Sequence, residues 1–263
     1  MATKIEIANV SHAYARDGRT VEALQAVDLA VQTGELVSIV GPSGCGKTTL
    51  LFGVAGFIRP TRGQVLVDGQ PVVAPGSDRG VVFQSFALFK WLTVQQNVEF
   101  GPKMRGLPPR ERRERAGQLL ALVGLSRFRD RYPYELSGGM QQRAAIVRAL
   151  ANDPEILLMD EPFGSLDAQS RDMMQEELLK IWQTSGKTIL FITHSVDEAI
   201  YLSSRVVVFT SRPGRIKHVL DVRLPASRFD YHIRTSADFI RAKQSILDMV
   251  REETLKQYEE EMG

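Results

Sequence analysis

Cysteine is nearly missing from this 263-residue chain: Cys45 is the single one. No disulfide can form within the chain, and a reducing compartment is its natural setting. An excess of either charge is also missing. The 33 lysines and arginines almost cancel the 31 aspartates and glutamates, leaving a formal +2, so there is no electrostatic footprint for nucleic acid or an anionic membrane surface. No apolar run approaches the roughly 20 residues that span a bilayer. If the protein works at a membrane, another chain must do the spanning. The opening Met1-Ala2-Thr3-Lys4-Ile5-Glu6-Ile7 lacks the basic and then apolar order of a secretory signal. The sequence contains no internal repeat, low-complexity linker or metal-ligand cluster. Its 43% hydrophobic content suits a sizeable core, either one large α/β domain or a core plus a small lobe.

Alternation through Ile5, Ile7 and Val10, and again through Val27, Leu29 and Val31, predicts antiparallel strands with one buried face. The apolar run 36–40 enters a glycine-rich turn. A helix follows from Thr48 to Phe57, with Arg59-Pro60 expected to end it. Gln64 to Val67 before Asp68-Gly69 reads as a strand with a hairpin turn, and Gly80 to Phe83 as a buried strand. From Thr93 to Arg148 helical patterns replace strands. The basic residues of 109–115 interleave with glutamates, as on a solvated helix face. Strands resume at 156–159, 188–192 and 206–209, separated by helical patterns at 169–184 and 196–202, which implies a parallel core sheet. The chain closes on a helix carrying Ile240, Ile246, Leu247, Met249 and Val250, expected to pack or dock.

Gly41-Pro42-Ser43-Gly44-Cys45-Gly46-Lys47-Thr48, followed by Thr49, fits the phosphate-loop pattern between a buried strand and a helix start. The glycines let backbone amides turn inward onto phosphate oxygens, and the helix N-terminus adds positive potential. Lys47 suits the outer phosphates, and the Thr48 hydroxyl suits Mg²⁺. Cys45 is expected to matter through its amide rather than its thiol. The run 156–159 delivers Asp160 and Glu161 at a strand's carboxyl end, where open α/β sheets bind ligands. Asp160 is assigned to the metal through water, and Glu161 to the attacking water. Leu136-Ser137-Gly138-Gly139-Met140-Gln141-Gln142-Arg143 opens a second helix, whose start is another anion site.

With that last motif the sequence resembles the nucleotide-binding subunits of ABC transporters, over nearly all its length, and their remaining motifs follow in register. The resemblance implies an α/β phosphate-loop ATPase core with an N-terminal antiparallel β layer and an inserted helical sub-domain. The expected bounds are 1–92 and 154–225 for the core, 93–153 for the helical sub-domain with its signature motif, and 226–263 for a helical tail. Gln84 matches the glutamine that approaches Mg²⁺ and the attacking water and relays contact with the membrane subunit. Ser165-Leu166-Asp167 matches the D-loop, His194 the histidine that contacts the γ-phosphate, and Tyr14 the aromatic that stacks on adenine. Ser137, Gly138, Gly139 and Gln141 are then expected to contact ATP held by a second copy. The implied cofactors are ATP and Mg²⁺. The implied partners are a second copy, integral membrane permease subunits and, indirectly, a periplasmic or lipid-anchored substrate-binding protein, with no nucleic acid. The implied place is the cytoplasmic face of the cell membrane.

Pro75 to Gln84, Trp91 to Val94 and Glu161 to Ala168 are similar to importers of taurine, aliphatic sulfonates or nitrate. Ser195 departs from that group, whose members usually carry an acid after the histidine. A soluble ABC ATPase of translation or DNA repair is the rival class, and it would carry two fused ATPase domains or a long coiled coil. The sequence has neither, and uptake rather than export rests on the likeness alone.

Overall fold

The structure, a computed structural model, describes residues 2–16, 19–225, 228 and 231–262. In chain order the elements are β1 (Thr3–Arg16), β2 (Arg19–Gln32), β3 (Leu36–Val40), α1 (Lys47–Ala55), β4 (Arg62–Val67), β5 (Gln70–Pro71), β6 (Arg79–Val82), α2 (Val94–Met104), α3 (Pro109–Leu122), α4 (Gly138–Leu150), β7 (Ile156–Asp160), α5 (Ala168–Ser185), β8 (Thr188–Ile192), α6 (Val196–Leu202), β9 (Arg205–Phe209), β10 (Ile216–Asp221) and α7 (Ala237–Met262). Two compact units result, one formed by Met1–Gly76 with Ser185–Gly263, the other by Ser77–Thr184.

The first unit carries the expected antiparallel layer, ordered β2-β1-β4-β5. Ile5 pairs with both Val31 and Val67, and Ile7 with Leu29 and Val65, so their shared face is buried. The apolar spacing slips from odd to even positions between Ile7 and Val10, and a bulge explains it. Asn9 takes φ 48, its amide donating to Asp28 Oδ1 at 2.8 Å, and the extra residue returns Val10 to the core face. The turn Asp68-Gly69 has φ 50 and 74 at its two residues, which joins β4 to β5 as the sequence predicts.

Beside this layer β3 pairs in parallel with β8 and β9, and β10 closes the edge antiparallel to β9. Every residue of β3 and β8 is buried, the pattern of a strand covered on both faces. The first helix stops earlier than expected. Gly56, at φ 81, ends α1 through a left-handed cap, with Phe57 N donating to Phe52 O at 2.9 Å. Arg59-Pro60 lies beyond that end.

Residues 226, 227, 229, 230 and 263 of the expected helical tail lie outside the described residues. Within it α7 turns Phe239, Ile246 and Glu253 inward, one every seventh residue, and packs on α6 and β9. Ile240 and Leu247 lie one position off that stripe and are exposed. Glu253 anchors the helix: its carboxylate accepts from Ser211 N at 3.0 Å, Lys217 Nζ at 2.8 Å and Lys256 Nζ at 3.0 Å. Arg228 caps α6 from the same region, its guanidinium donating to Tyr201 O at 2.9 Å and Ser203 O at 2.7 Å. Burial brings that guanidinium down to about 10.

In the second unit β6 and β7 pair in parallel. Thr93 and Gln96 form a reciprocal capping box at the start of α2. Buried Asn97 fixes the segment before it, accepting from Phe89 N at 2.8 Å and donating to Leu92 O at 3.0 Å. The basic face of α3 is largely solvated, as its interleaved charges suggest. Arg112 folds back onto Glu99 of α2 at 3.0 Å, and the half-buried Arg115 lies 3.8 Å from Asp153.

Burial raises the Glu253 carboxyl, but its bonds to Lys217, Ser211 and Lys256 outweigh that and hold it at about 2, against an ordinary 4.5. A depressed folded value contributes stability above pH 4.5 that is lost as pH falls toward 2. Glu253→Gln should therefore cost roughly 2 kcal/mol at pH 7 and flatten the acid limb of the stability curve between pH 4.5 and 2. Thermal melts of both proteins across that range check it.

Candidate functional site

In the first unit β3 delivers the chain from a fully buried strand to Gly41, where the backbone begins to coil. Gly44 and Gly46 take φ 73 and 97. Gly46 is the N-cap of α1 and offers no side chain to the first amides. Only glycine fits there: a Cβ would lie 2.5 Å from Ala23 O and 2.8 Å from Leu24 Cδ2 of β2. The Lys47 ammonium donates to Gly41 O and Pro42 O, at 2.8 Å each. It thus satisfies the outer carbonyls of the loop and staples its ends together. Thr48 is exposed at the helix start, while Thr49 is buried and its Oγ1 lies 3.2 Å from the Tyr14 hydroxyl. The Tyr14 ring is half open to solvent and meets His12 edge to face at 4.6 Å.

Cys45 is buried, and burial pushes its thiol up despite the pull of Lys47. A raised thiol is a poor nucleophile, which agrees with an amide role for this residue.

His194 is exposed just past β8, between two anchored neighbours. Thr193 Oγ1 donates to the buried Glu198 carboxylate at 2.6 Å, and Ser195 N donates to Thr193 Oγ1 at 3.0 Å. Ser195 Oγ accepts from Glu198 N at 3.3 Å and so caps α6. Serine and aspartate are near-equal N-caps, so an acid at this position could cap α6 in the same way.

In the second unit β7, buried at all five positions, ends on Asp160, and Glu161 follows at φ 46. A left-handed backbone is costly for a glutamate. Here it turns the chain as it leaves the strand. Glu161 Oε2 accepts from Gln84 Nε2 at 3.1 Å, bringing together two of the expected residues. After Gln84 the chain kinks at Phe86 and Ala87, at φ 55 and 51. Arg148 of α4 holds this kink, donating to Ala87 O and lying over the Phe89 ring at 5.6 Å.

Ser137 is the N-cap of α4, its Oγ accepting from Met140 N at 3.4 Å. Ser137 and Gly138 are exposed and Gly139 is half-buried. Gly139 also makes room for the D-loop, since a Cβ there would meet Leu166 Cδ2 at 3.2 Å. Gln141 Nε2 donates to Leu136 O at 3.1 Å, an internal bond that ties the segment before the helix. Asp167 acts locally as well: its Oδ1 accepts from Ser170 N at 2.9 Å at the start of α5, and that bond holds its carboxyl below the usual range. Ser165 is exposed. His12 and Arg212, whose side chain reaches Gly44 O, carry no signal in the sequence. Neither belongs to a motif or to an apolar period.

A glycine-curled loop leading from a buried parallel strand into a helix, with lysine and threonine at its end, defines a phosphate-loop nucleotide-hydrolysing protein. The ABC transporter family model matches residues 24–164, and the chain belongs to that family. It is 52% identical to an uncharacterized ABC transporter ATP-binding protein of Methanocaldococcus jannaschii, covering 97% of this chain and 94% of that one. A taurine import ATP-binding protein of Roseobacter denitrificans is 47% identical over 89% of this chain and 88% of its own. A nitrate import ATP-binding protein of Synechocystis is 46% identical over 94% and 95%. Among solved structures, a dimeric ATP-binding cassette bound to ADP and Pi aligns with a TM-score of 0.76 at 34% identity, covering 84% of this chain and 100% of that one. The chain is an ATP-binding subunit that hydrolyses ATP. Among the described residues no helix is long and apolar enough to cross a membrane.

Gly46→Ala should weaken MgATP binding more than about 100-fold, near 2.8 kcal/mol at 1.4 per decade. Gly53→Ala places its Cβ in open space within α1 and should gain about 0.5–1 kcal/mol of stability with binding intact. Calorimetric titration and thermal melts of the two variants separate the loop's demand for glycine from a general effect on α1.

Proposed function

We propose that this chain is the ATPase subunit of an importer for a small anion, taurine or another sulfonate, or nitrate. It would act as a homodimer on the cytoplasmic face of the membrane, attached to permease subunits that an external substrate-binding protein loads. The observation that carries the ATPase half of the reading is the pairing of Gln84 with Glu161 at 3.1 Å, at the carboxyl end of a buried strand. An amide donor there orients a carboxylate suited to accept a proton from water. The anion is supported by the likeness to the taurine and nitrate import proteins.

Each residue then has a role. Tyr14 stacks on adenine. Amides of the loop from Gly41, Pro42 and Ser43 through Gly44, Cys45 and Gly46 to Thr49 cradle the phosphates, and Lys47 holds their outer charge. Thr48, Asp160 and Gln84 would hold Mg²⁺. Glu161 activates the attacking water, and His194 contacts the γ-phosphate. The Ser137 hydroxyl, the Gly138 and Gly139 amides and Gln141 close over ATP held by a second copy, with Ser165 and Asp167 beside them. The dimeric ADP- and Pi-bound relative supports the two-copy arrangement. ATP stabilises the closed pair by touching both copies, and loss of γ-phosphate contacts after hydrolysis removes that preference. Mg²⁺ supplies charge neutralisation on the phosphates.

Glu161→Gln should cut turnover at least about 10³-fold, the scale of a lost general base, while keeping ATP binding and trapping an ATP-dependent dimer visible by gel filtration. Near-normal hydrolysis would end the assignment. Copurification should recover a membrane permease, whose reconstituted complex is stimulated by a taurine-, sulfonate- or nitrate-loaded binding protein. Stimulation by an unrelated solute, or a chain that enters no membrane complex, would overturn the transport reading.

A further inference from the structure

Behind the phosphate loop, in the same unit, the turn Ser211-Arg212-Pro213-Gly214 follows β9. The Arg212 guanidinium donates from Nε and Nη2 to the carbonyl of Gly44, at 3.3 and 3.2 Å. Gly214 packs so closely on the loop that a Cβ there would lie 2.0 Å from Cys45 O. The turn is pinned to β2, with Gly214 N donating to Ala23 O at 2.9 Å and Gln25 N to Gly214 O at 3.0 Å. It is pinned to α7 by Ser211 N and Oγ, at 3.0 and 3.4 Å from Glu253 Oε2.

The consequence follows from the planar trans peptide, in which C=O and N–H point in opposite directions. The Gly44 carbonyl is held toward Arg212, so the N–H of Cys45 points away from the turn. The Cys45 carbonyl faces Gly214, so the N–H of Gly46 points away as well. A charged donor on a peptide carbonyl also polarises its N–H and makes it a better donor to an anion.

We propose that Arg212 is a positioning residue for phosphate binding, setting the direction of the Cys45 and Gly46 amides from behind the loop, and that Glu253 of α7 holds the turn in place. This rests on the phosphate-loop reading above. Arg212 touches no substrate, so its effect falls on affinity rather than on chemistry. Arg215, on the same turn, reaches Gln25 and not the loop, and serves as the control.

The test compares Arg212→Ala, Arg212→Lys and Arg215→Ala for MgATP hydrolysis, and for binding of inorganic tripolyphosphate, which has no adenine or ribose. Arg212→Ala should raise the KM for MgATP about five- to tenfold, keep kcat within twofold and the melting temperature within 2 °C, and weaken tripolyphosphate by the same factor as ATP. Arg212→Lys, which can give the carbonyl one donor, should recover part of the loss, and Arg215→Ala should match the parent. Glu253→Gln should shift KM in the same direction through the turn. Parent-like KM and tripolyphosphate affinity in Arg212→Ala would overturn the proposal, as would a kcat loss that tracks melting temperature. Lys47→Ala tells the two readings apart. If it binds ATP normally, the phosphate-loop reading itself fails. If it loses ATP while Arg212→Ala does not, only the role of Arg212 is lost.

Discussion

The rest of the structure depends on a constraint of the peptide bond: aiming several backbone amides at one anion sends their carbonyls the other way, and those carbonyls need partners. The loop 41–48 answers it with cations and close packing. Lys47 takes the carbonyls of Gly41 and Pro42, and Arg212 takes that of Gly44. The loop needs glycine at Gly46, and the turn behind it at Gly214, because neighbouring backbone stands within 2.5 and 2.0 Å of where a Cβ would go. A buried β3 on one side and α1 on the other fix where the curl begins and ends. The sheet is therefore the frame of the site, since it holds still the backbone that does the binding.

The same reasoning orders the second unit. Glu161 leaves β7 in a left-handed conformation and meets Gln84, itself followed by two more residues at positive φ. Strain gathered at these positions is what a buried strand can support and a free loop cannot. Asn97 and Arg148 spend their side chains on backbone carbonyls that flank the site. Their contribution is to keep loops in one shape, which is how a polar side chain acts without meeting substrate.

What the sequence made legible were features with a short period or a fixed spacing. The phosphate loop, Asp160-Glu161 and the start of α4 show in the chain because each is a run of adjacent residues whose chemistry is local. The strands at 156–160 and 188–192 show because burial on both faces demands unbroken apolar runs. The end of α1 was misjudged because Gly56 halts it by backbone geometry three residues before the arginine and proline that draw attention. The inward stripe of α7 was hidden because one of its members is Glu253, an acid that becomes a buried residue only once Ser211, Lys217 and Lys256 surround it. Arg212 was invisible for the same reason: it lies 168 positions from Gly44 and only the fold joins them.

The two helix starts proposed to seat phosphate, those of α1 and α4, differ in chemistry in a way that suits cyclic work. The start of α1 has Lys47 beside it, a full charge that on the proposed reading would hold phosphate before and after bond cleavage. The start of α4 has no basic residue in its first turn, only a hydroxyl and the amides of two glycines. A helix terminus alone contributes about 0.3–1 kcal/mol toward an anion, enough to add to a closed state and small enough to let it go. On the proposed two-copy cycle, the weaker seat would be the one that must release. A lysine at Gly138 or Gly139 would strengthen closure and, by the same energy, oppose reopening once the γ-phosphate bond is broken. On that cycle, neutrality at Ser137-Gly138-Gly139 would be a condition for turnover as much as for binding.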